Sequence, residues 1–178
     1  KRPPLMNEDL ALEFAIWDIA GKNAHLPVYD LLGGRVREKQ AISIVVGQKP
    51  ISECVAEVGQ ALKAGIRTIK VKVGANDKHD IELIKQLREK YGYEYILRVD
   101  ADGAWGNVTE AVRVLRELYN YNIQYAEGCL NKSDAESYRR IREMAGIPIC
   151  MPVEFNGNTV STTEALTKVA EIVRIDAA

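Results

Sequence analysis

The sequence lacks a charge excess and a long hydrophobic run, and both absences exclude classes of function. It has 24 lysines and arginines against 25 aspartates and glutamates, so its formal net charge is −1. The two signs are interleaved, which predicts neither a nucleic-acid footprint nor a polybasic membrane patch. No apolar run approaches the length of a membrane span, and no apolar signal-peptide core follows the first residues. We therefore expect a cytoplasmic protein that binds neither nucleic acid nor membranes.

Cysteine is also scarce. The three cysteines, Cys54, Cys129 and Cys150, are odd in number and have no C-x-x-C spacing. This pattern predicts neither a disulfide framework nor a zinc site. Instead, we expect three small, buried side chains.

Regular alternation of strand and helix patterns begins at residue 41. Six stretches have the β-branched or alternating pattern of strands, and five helical patterns separate them. Strict alternation predicts parallel strands joined by right-handed helical crossovers, and hence an α/β fold. The predicted strands are "AISIVVG", "TIKVKVG", "YILRVDAD", "IQYAEG", "IPICMPV" and "IVRIDAA".

A polar residue recurs at the carboxyl end of four consecutive predicted strands. Lys72, Asp100, Glu127 and Glu154 follow one another at intervals of 28, 27 and 27 residues. A (β/α)8 barrel of the TIM type places its active site at these strand ends. A doubly wound sheet would instead carry a glycine fingerprint such as G-x-G-x-x-G, which the sequence lacks. The spacing therefore favours a barrel.

The predicted barrel is partial. Eight units need roughly 250 residues, whereas six strands already reach Ala178. The two outermost strands would leave exposed edges, so we expect the chain to be part of a longer protein. Residues 35–178 are predicted to form strands one to six of the barrel. Residues 1–34, with a helix from Asn7 to Lys22, are predicted to end a preceding domain.

Three of the strand-end residues are carboxylates that the barrel would bring to one side of its mouth. Asp100, Glu127 and Glu154 supply hard oxygen ligands, which suit Mg²⁺. Without a cation the three groups would repel one another. The alternative is that they are three unrelated surface acids.

The strand "TIKVKVG" projects Lys70 and Lys72 from the same face, because side chains alternate along a strand. One interpretation is a solvent-exposed charged strand, since lysine is mostly exposed. The other is that Lys72 is a general base beside the metal. A base must be neutral, and the neighbouring charge of Lys70 would favour the neutral form. A cation with a lysine base suits removal of the proton α to a carboxylate, with the metal stabilising the enediolate.

Three longer stretches together resemble the mandelate racemase and muconate lactonizing branch of the enolase superfamily. "ALEFAIWDIAGKNAHLPVYDLLGG" resembles the junction between its α+β capping domain and its barrel, "IKVKVG" its K-x-K strand, and "RVDADGAW" its third-strand metal motif. The resemblance implies a homo-oligomer acting on a small carboxylate substrate. It also implies Mg²⁺ ligands at Asp100, Glu127 and Glu154, with Lys72 as the base and Lys70 tuning it.

The last predicted strand indicates which subgroup of the family the sequence resembles. Asp176 in "RIDAA" is similar in position to the aspartate of a histidine–aspartate dyad in the mandelate racemase subgroup, where the muconate lactonizing subgroup has a lysine. The resemblance implies a catalytic role for Asp176 with a histidine on a seventh strand, which this sequence does not contain. His25 and His79 are predicted to be surface residues.

The sequence also departs from the family pattern in three places. Gly128 and Cys129 follow Glu127 where the family has Glu-x-Pro, and Asp102 replaces an asparagine. "EFNGN" after Glu154 differs from the common Asp-Glu-Ser version.

The resemblance implies an acid-sugar dehydratase as the first hypothesis. Racemisation or epimerisation of a 2-hydroxy acid or an amino-acid derivative is the alternative, because both reactions begin with the same enediolate. A non-catalytic barrel relative is the third.

Overall fold

The computed structural model describes residues 7–131, 135–155 and 172–177. These residues fall into two compact units. The first contains residues up to Ala41 and the short segments that begin at Glu154 and Asp176. The second begins at Ile42 and contains the remaining strands and helices.

The described helices and strands occur where the sequence predicts them, although the predicted helix over 162–171 lies outside the described residues. The helices are α1 (Asn7–Ala24), α2 (Val28–Leu31), α3 (Ile51–Lys63), α4 (Asp77–Tyr91), α5 (Val108–Leu118) and α6 (Ala135–Ala145). The strands are β1 (Ser43–Val46), β2 (Thr68–Lys72), β3 (Ile96–Asp100), β4 (Ile123–Glu127), β5 (Ile149–Phe155) and β6 (Ile172–Ala177).

The strands form one sheet in the order of the sequence, β1 to β6. Neighbours from β1 to β5 pair in parallel. A doubly wound sheet reverses its strand order at a switch point, whereas this order never reverses. The consecutive order confirms the predicted α/β fold of the partial (β/α)8 barrel type.

The two faces of β2 have opposite chemistry. Ile69 and Val71 are fully buried in the apolar core, with Val73 just beyond the strand. Leu83, Ile84 and Leu87 of α4 belong to the same core. The opposite face of β2 carries Lys70 and Lys72, which are half-buried. The helix-facing side therefore stabilises the sheet by apolar burial and leaves the other face for polar groups.

A bulge in β4 determines which residue of this strand stands opposite Asp100. Leu97 pairs with Ile123, but Val99 pairs with Ala126, so β4 has one residue more than β3 in this interval. The extra residue shifts the register and brings Glu127 opposite Asp100. With regular pairing Ala126 would take that place, because a shift of one residue reverses the faces of a strand.

A buried arginine ties together the amino ends of β3 and β4. Arg88 of α4 is 3% exposed. Its guanidinium donates hydrogen bonds to four backbone carbonyls and lies over the rings of Tyr93 and Tyr95. The four acceptors are the carbonyl oxygens of Gly92, Tyr95, Tyr121 and Asn122.

The three cysteines are buried, as the sequence predicts. Helix α1, in the first unit, differs from the core helices because several of its large apolar side chains are exposed, including Phe14 at 68% and Ile19 at 65%. Across the described residues, no helix combines the length and apolar character that a membrane crossing requires.

Candidate active site

Backbone hydrogen bonds continue past the strand ends and fix the relative positions of the polar residues there. Val73 N–H donates to the Asp100 carbonyl, and Ala101 N–H donates to the Glu127 carbonyl, each at 3.0 Å. The side chains at the ends of β2, β3 and β4 therefore meet at one edge of the sheet.

Lys70, Lys72, Asp100 and Glu127 form a connected group of charges at this edge. Lys70 Nζ lies 3.0 Å from Asp100 Oδ2 and 3.2 Å from Glu127 Oε2. Lys72 Nζ lies 3.1 Å from the same Asp100 oxygen. Both carboxylates are only 2% exposed. The lysines are therefore partners of buried acids, and the interpretation as an exposed charged strand does not fit the structure.

The contacts shift the pKa of two members of the group. Burial opposes ionisation of Asp100, but the two ammonium groups and the Asp102 N–H lower its pKa below the usual value. Burial likewise opposes the charge on Lys70, but its contacts with Asp100 and Glu127 raise the pKa of its ammonium group. Both groups are therefore charged at neutral pH.

Asp100 and Glu127 provide two of the oxygen ligands that a hard divalent cation requires. Asp100 and Glu127 share one ammonium group, so their oxygens already surround a position of positive charge. Carboxylate oxygens are the ligands that Mg²⁺ prefers. Among the described side chains, however, no cluster of three or more histidine, cysteine or acidic residues could hold a metal ion. A third protein ligand would have to come from elsewhere.

For two of the predicted site residues, the structure describes the backbone but not the side chain. Glu154 is the sixth residue of β5, and Asp176 is the fifth residue of β6. Their side chains are not among those that the structure describes, and both residues belong to the first compact unit. Their roles remain predictions.

Asp102 is a further site residue to which the sequence analysis gave no role. Its Oδ2 lies 3.3 Å from Lys72 Nζ, and its N–H donates to Asp100 Oδ1 at 3.1 Å. Asp102 has a φ of +50°, a left-handed conformation that aspartate tolerates better than most residues. The Asp-Gly pair at 102–103 was the available turn signal.

An open depression of about 390 Å³ lies beside Lys72 and Asp102. Gln48, which follows β1, lines its other side, and the remaining walls include three alanines. The depression has the size of a small-molecule site and presents an amide, a carboxylate and an ammonium group.

Asp80 fixes the loop that follows the lysine strand. Its buried carboxylate accepts a hydrogen bond from Gly74 N–H at 2.7 Å and lies 3.2 Å from His79 Nδ1. His79 is half-buried through this contact, so the prediction of a surface histidine is only partly correct.

The fold and this site define a class: an α/β barrel protein with a lysine–carboxylate centre at the carboxyl ends of its strands. A family model described as "Enolase C-terminal domain-like" matches residues 53–178. The chain belongs to this family, within the mandelate racemase and muconate lactonizing group of the enolase superfamily.

The proteins to which this chain is similar include a racemase, an epimerase and a dehydratase. The chain is 31% identical to the N-succinyl-L-Arg/Lys racemase of Bacillus cereus and 34% identical to the D-Ala-D/L-Ala epimerase of Cytophaga hutchinsonii. It is 33% identical to the arabinonate dehydratase of Saccharolobus solfataricus. Each match covers 78% of this chain but only 38% of the relative. The chain thus spans well under half the length of these relatives.

Solved structures show the same fold. A Cytophaga hutchinsonii dipeptide epimerase, solved with Mg and the dipeptide D-Ala-L-Val, has a TM-score of 0.65 and 33% identity over 78% of this chain and 37% of that one. The muconate lactonizing enzyme of Pseudomonas putida has a TM-score of 0.75 over 91% of this chain and 45% of that one. At 24% identity, the second likeness establishes the fold alone.

Proposed function

We propose that the protein is a Mg²⁺-dependent enzyme that removes the proton α to a carboxylate and thereby racemises or epimerises an amino-acid derivative. A dipeptide or an N-acyl amino acid is the substrate class. The observation that carries this proposal is the contact of Lys70 and Lys72 with the buried acids Asp100 and Glu127.

Asp100 and Glu127 are the proposed metal ligands, with Glu154 as the third. Support for Glu154 comes from its place near the carboxyl end of β5, as Glu127 ends β4. When bound, Mg²⁺ would stabilise the negative charge that develops on the substrate carboxylate. Lys70, one pleat deeper than Lys72, holds the two carboxylates together.

Lys72 is the proposed base. Lys72 lines the depression, so a substrate that binds there with its α-carbon towards Nζ would be within reach of this amine. The neutral amine would take the α-proton, and a donor on the other face would return a proton to carbon. We propose that Asp176, near the carboxyl end of β6, contributes to that donor.

The relatives favour epimerisation over the acid-sugar dehydration that the sequence analysis put first. A racemase and an epimerase are among them, and one structure holds a dipeptide. The dehydratase relative keeps dehydration as the second candidate. Both reactions begin with the same proton removal, and they differ in whether a β-hydroxyl then leaves.

The test is proton exchange in deuterated water with the intact protein, including any residues beyond the ends of this chain. Dipeptides, N-succinyl amino acids and acid sugars are incubated with Mg²⁺, while NMR follows the α-proton and chiral chromatography follows the products. We expect exchange and inversion of an amino-acid derivative. Lys72→Ala should slow the exchange by roughly 10²–10⁴-fold, as loss of a general base does.

Lys85→Ala is the matched control, because Lys85 is an exposed lysine of α4. It should exchange at the parent rate. Elimination of water from an acid sugar would instead identify a dehydratase. Unchanged exchange in Lys72→Ala would remove the base role, and ligand binding without any exchange would identify a non-catalytic relative.

A further inference from the structure

Position 128, beside the candidate active site, is a glycine, and its lack of a side chain affects the geometry of the site. Gly128 directly follows Glu127 and has a φ of +59°. A Cβ at this position would lie 3.2 Å from Asp100 Oδ1 and 3.1 Å from Asp102 N. Both distances are tighter than ordinary van der Waals contacts. A side chain here would therefore require the Asp100 carboxylate, or the turn that follows it, to shift by a few tenths of an ångström.

The surrounding hydrogen bonds leave few ways to relieve such a clash. Gly103 N–H donates to the Gly128 carbonyl at 2.7 Å, which ties the turn after β3 to the end of β4. Asp102 N–H donates to the same Asp100 oxygen that the Cβ would approach. The turn is thus held against the end of β4, so the shift would fall on the Asp100 carboxylate and on the hydrogen bond that it accepts from Asp102.

We infer that Gly128 is a positioning residue for Asp100. Its lack of a side chain lets the end of β4 lie against the Asp100 carboxylate, so that Asp100 and Glu127 can bind one cation. Gly128 touches no reacting atom and acts only through Asp100. The inference rests on the proposed function, because it assumes that the two carboxylates bind Mg²⁺.

The test compares Mg²⁺ affinity and thermal stability in variants of the intact protein. Titration calorimetry with MgCl₂ gives the affinity, and Mn²⁺ binding followed by electron paramagnetic resonance gives an independent value. Gly128→Ala should weaken metal binding by about 10–100-fold, which is typical when a residue that orients a metal ligand is changed.

Gly65→Ala is the matched control. Gly65 also has a positive φ, +88°, but a Cβ there would meet no atom within 4 Å. Both alanine variants carry the strain of a left-handed residue, so both should melt earlier than the parent. Only Gly128→Ala should lose metal affinity. Equal affinity in the parent and Gly128→Ala, or equal losses in the two variants, would overturn the inference.

Gly128→Asn provides a second measurement, since asparagine accepts the left-handed conformation more readily than alanine. It introduces the same Cβ with less backbone strain and should show the same loss of affinity. A parent protein that binds no Mg²⁺ would overturn the proposed function and this inference with it. A parent that binds Mg²⁺ as tightly as both Gly128 variants would overturn this inference alone.

Discussion

Asp100 shows how a single side chain can be both buried and charged. An ionised carboxylate at 2% exposure is costly unless charges or hydrogen bonds compensate it. Lys70, Lys72 and the Asp102 N–H provide that compensation. Glu127 shares the first of these lysines. Each carboxylate therefore needs a nearby positive charge, which makes both sensitive to substitution.

Replacing Glu127 by glutamine keeps the shape and removes the charge. We expect Glu127→Gln to lower Mg²⁺ affinity by at least the roughly 10–100-fold that changes around a metal ligand cause. In the parent, Mg²⁺ at about a hundred times its dissociation constant should add about 2.7 kcal/mol of stability. Thermal melts with and without Mg²⁺ measure this gain, which should shrink in the variant.

Glu57→Gln serves as the control, since Glu57 is a partly exposed acid that pairs with Lys49 on the protein surface. It should keep the parent's full Mg²⁺ response. A full response in Glu127→Gln as well would exclude Glu127 as a ligand.

We expect the protein to lose stability in alkali because Tyr138 of α6 is buried. Burial raises the pKa of its hydroxyl to about 12, whereas tyrosine in an unfolded chain ionises near pH 10. Its contribution is therefore complete below about pH 10 and is lost as pH rises towards 12. One group gives a slope of about 1.4 kcal/mol per pH unit in this window.

Urea unfolding at pH 8, 10 and 11 checks this prediction. Tyr138→Phe removes the ionisable group, so stability should fall less steeply above pH 10 in the variant than in the parent. Tyr119→Phe, at an exposed tyrosine, should keep the parent's slope. Identical slopes in the parent and Tyr138→Phe would contradict the assignment.

At the scale of secondary-structure elements, periodicity predicted the strands and helices well, because burial of one face imposes a regular pattern on each. The equal spacing of Lys72, Asp100 and Glu127 also predicted that their side chains meet. The bulge in β4 was not predictable, since no glycine or proline marks it. At the bulge, Arg98 of β3 donates a hydrogen bond to Gln124 and lies over the Tyr125 ring, contacts that form only once the two strands are paired.

The contacts of the Asp102 side chain and the close approach of Gly128 to Asp100 could not be predicted from the sequence either. Their importance comes from distances between the turn after β3 and the end of β4, which are far apart in the chain. For Glu154 and Asp176, a position near the carboxyl end of a strand supports the predicted roles.

Arg88 joins several secondary-structure elements, so its substitution should lower the free energy of unfolding. Arg88→Met keeps much of the apolar stem but removes the donor to four carbonyls, of which that of Tyr95 belongs to a buried residue. An unsatisfied buried polar group costs about 1–3 kcal/mol, and the lost contacts with the Tyr93 and Tyr95 rings should add to this fall in the free energy of unfolding. Urea unfolding at pH 7 measures the loss.

Arg139→Met is the comparison, because the Arg139 guanidinium pairs with Glu136 and Glu143 on the exposed face of its own helix. It should change stability little. A small loss in Arg88→Met, similar to that in Arg139→Met, would mean that water replaces the guanidinium at the carbonyls.

At the scale of the whole molecule, the exposed apolar side chains of α1 indicate a surface that is covered in the intact protein. Large apolar patches on soluble proteins usually mark contacts. We expect the intact protein to be a homo-oligomer in which Trp17 is shielded from water. Analytical ultracentrifugation and acrylamide quenching of Trp17 fluorescence, with Trp105 replaced by phenylalanine, check this. A monomer whose Trp17 is quenched like a free indole would contradict the prediction.

The Arg88 contacts also have a consequence for synthesis on the ribosome. Two of the acceptor carbonyls belong to Tyr121 and Asn122, which are translated 33 and 34 residues after the arginine. Until they emerge, the guanidinium lacks half of its partners, and burying it would be unfavourable. We therefore expect α4 to pack fully around its arginine only when the start of β4 has left the exit tunnel, and a translational pause before residue 121 to prolong the exposure of the unfinished core.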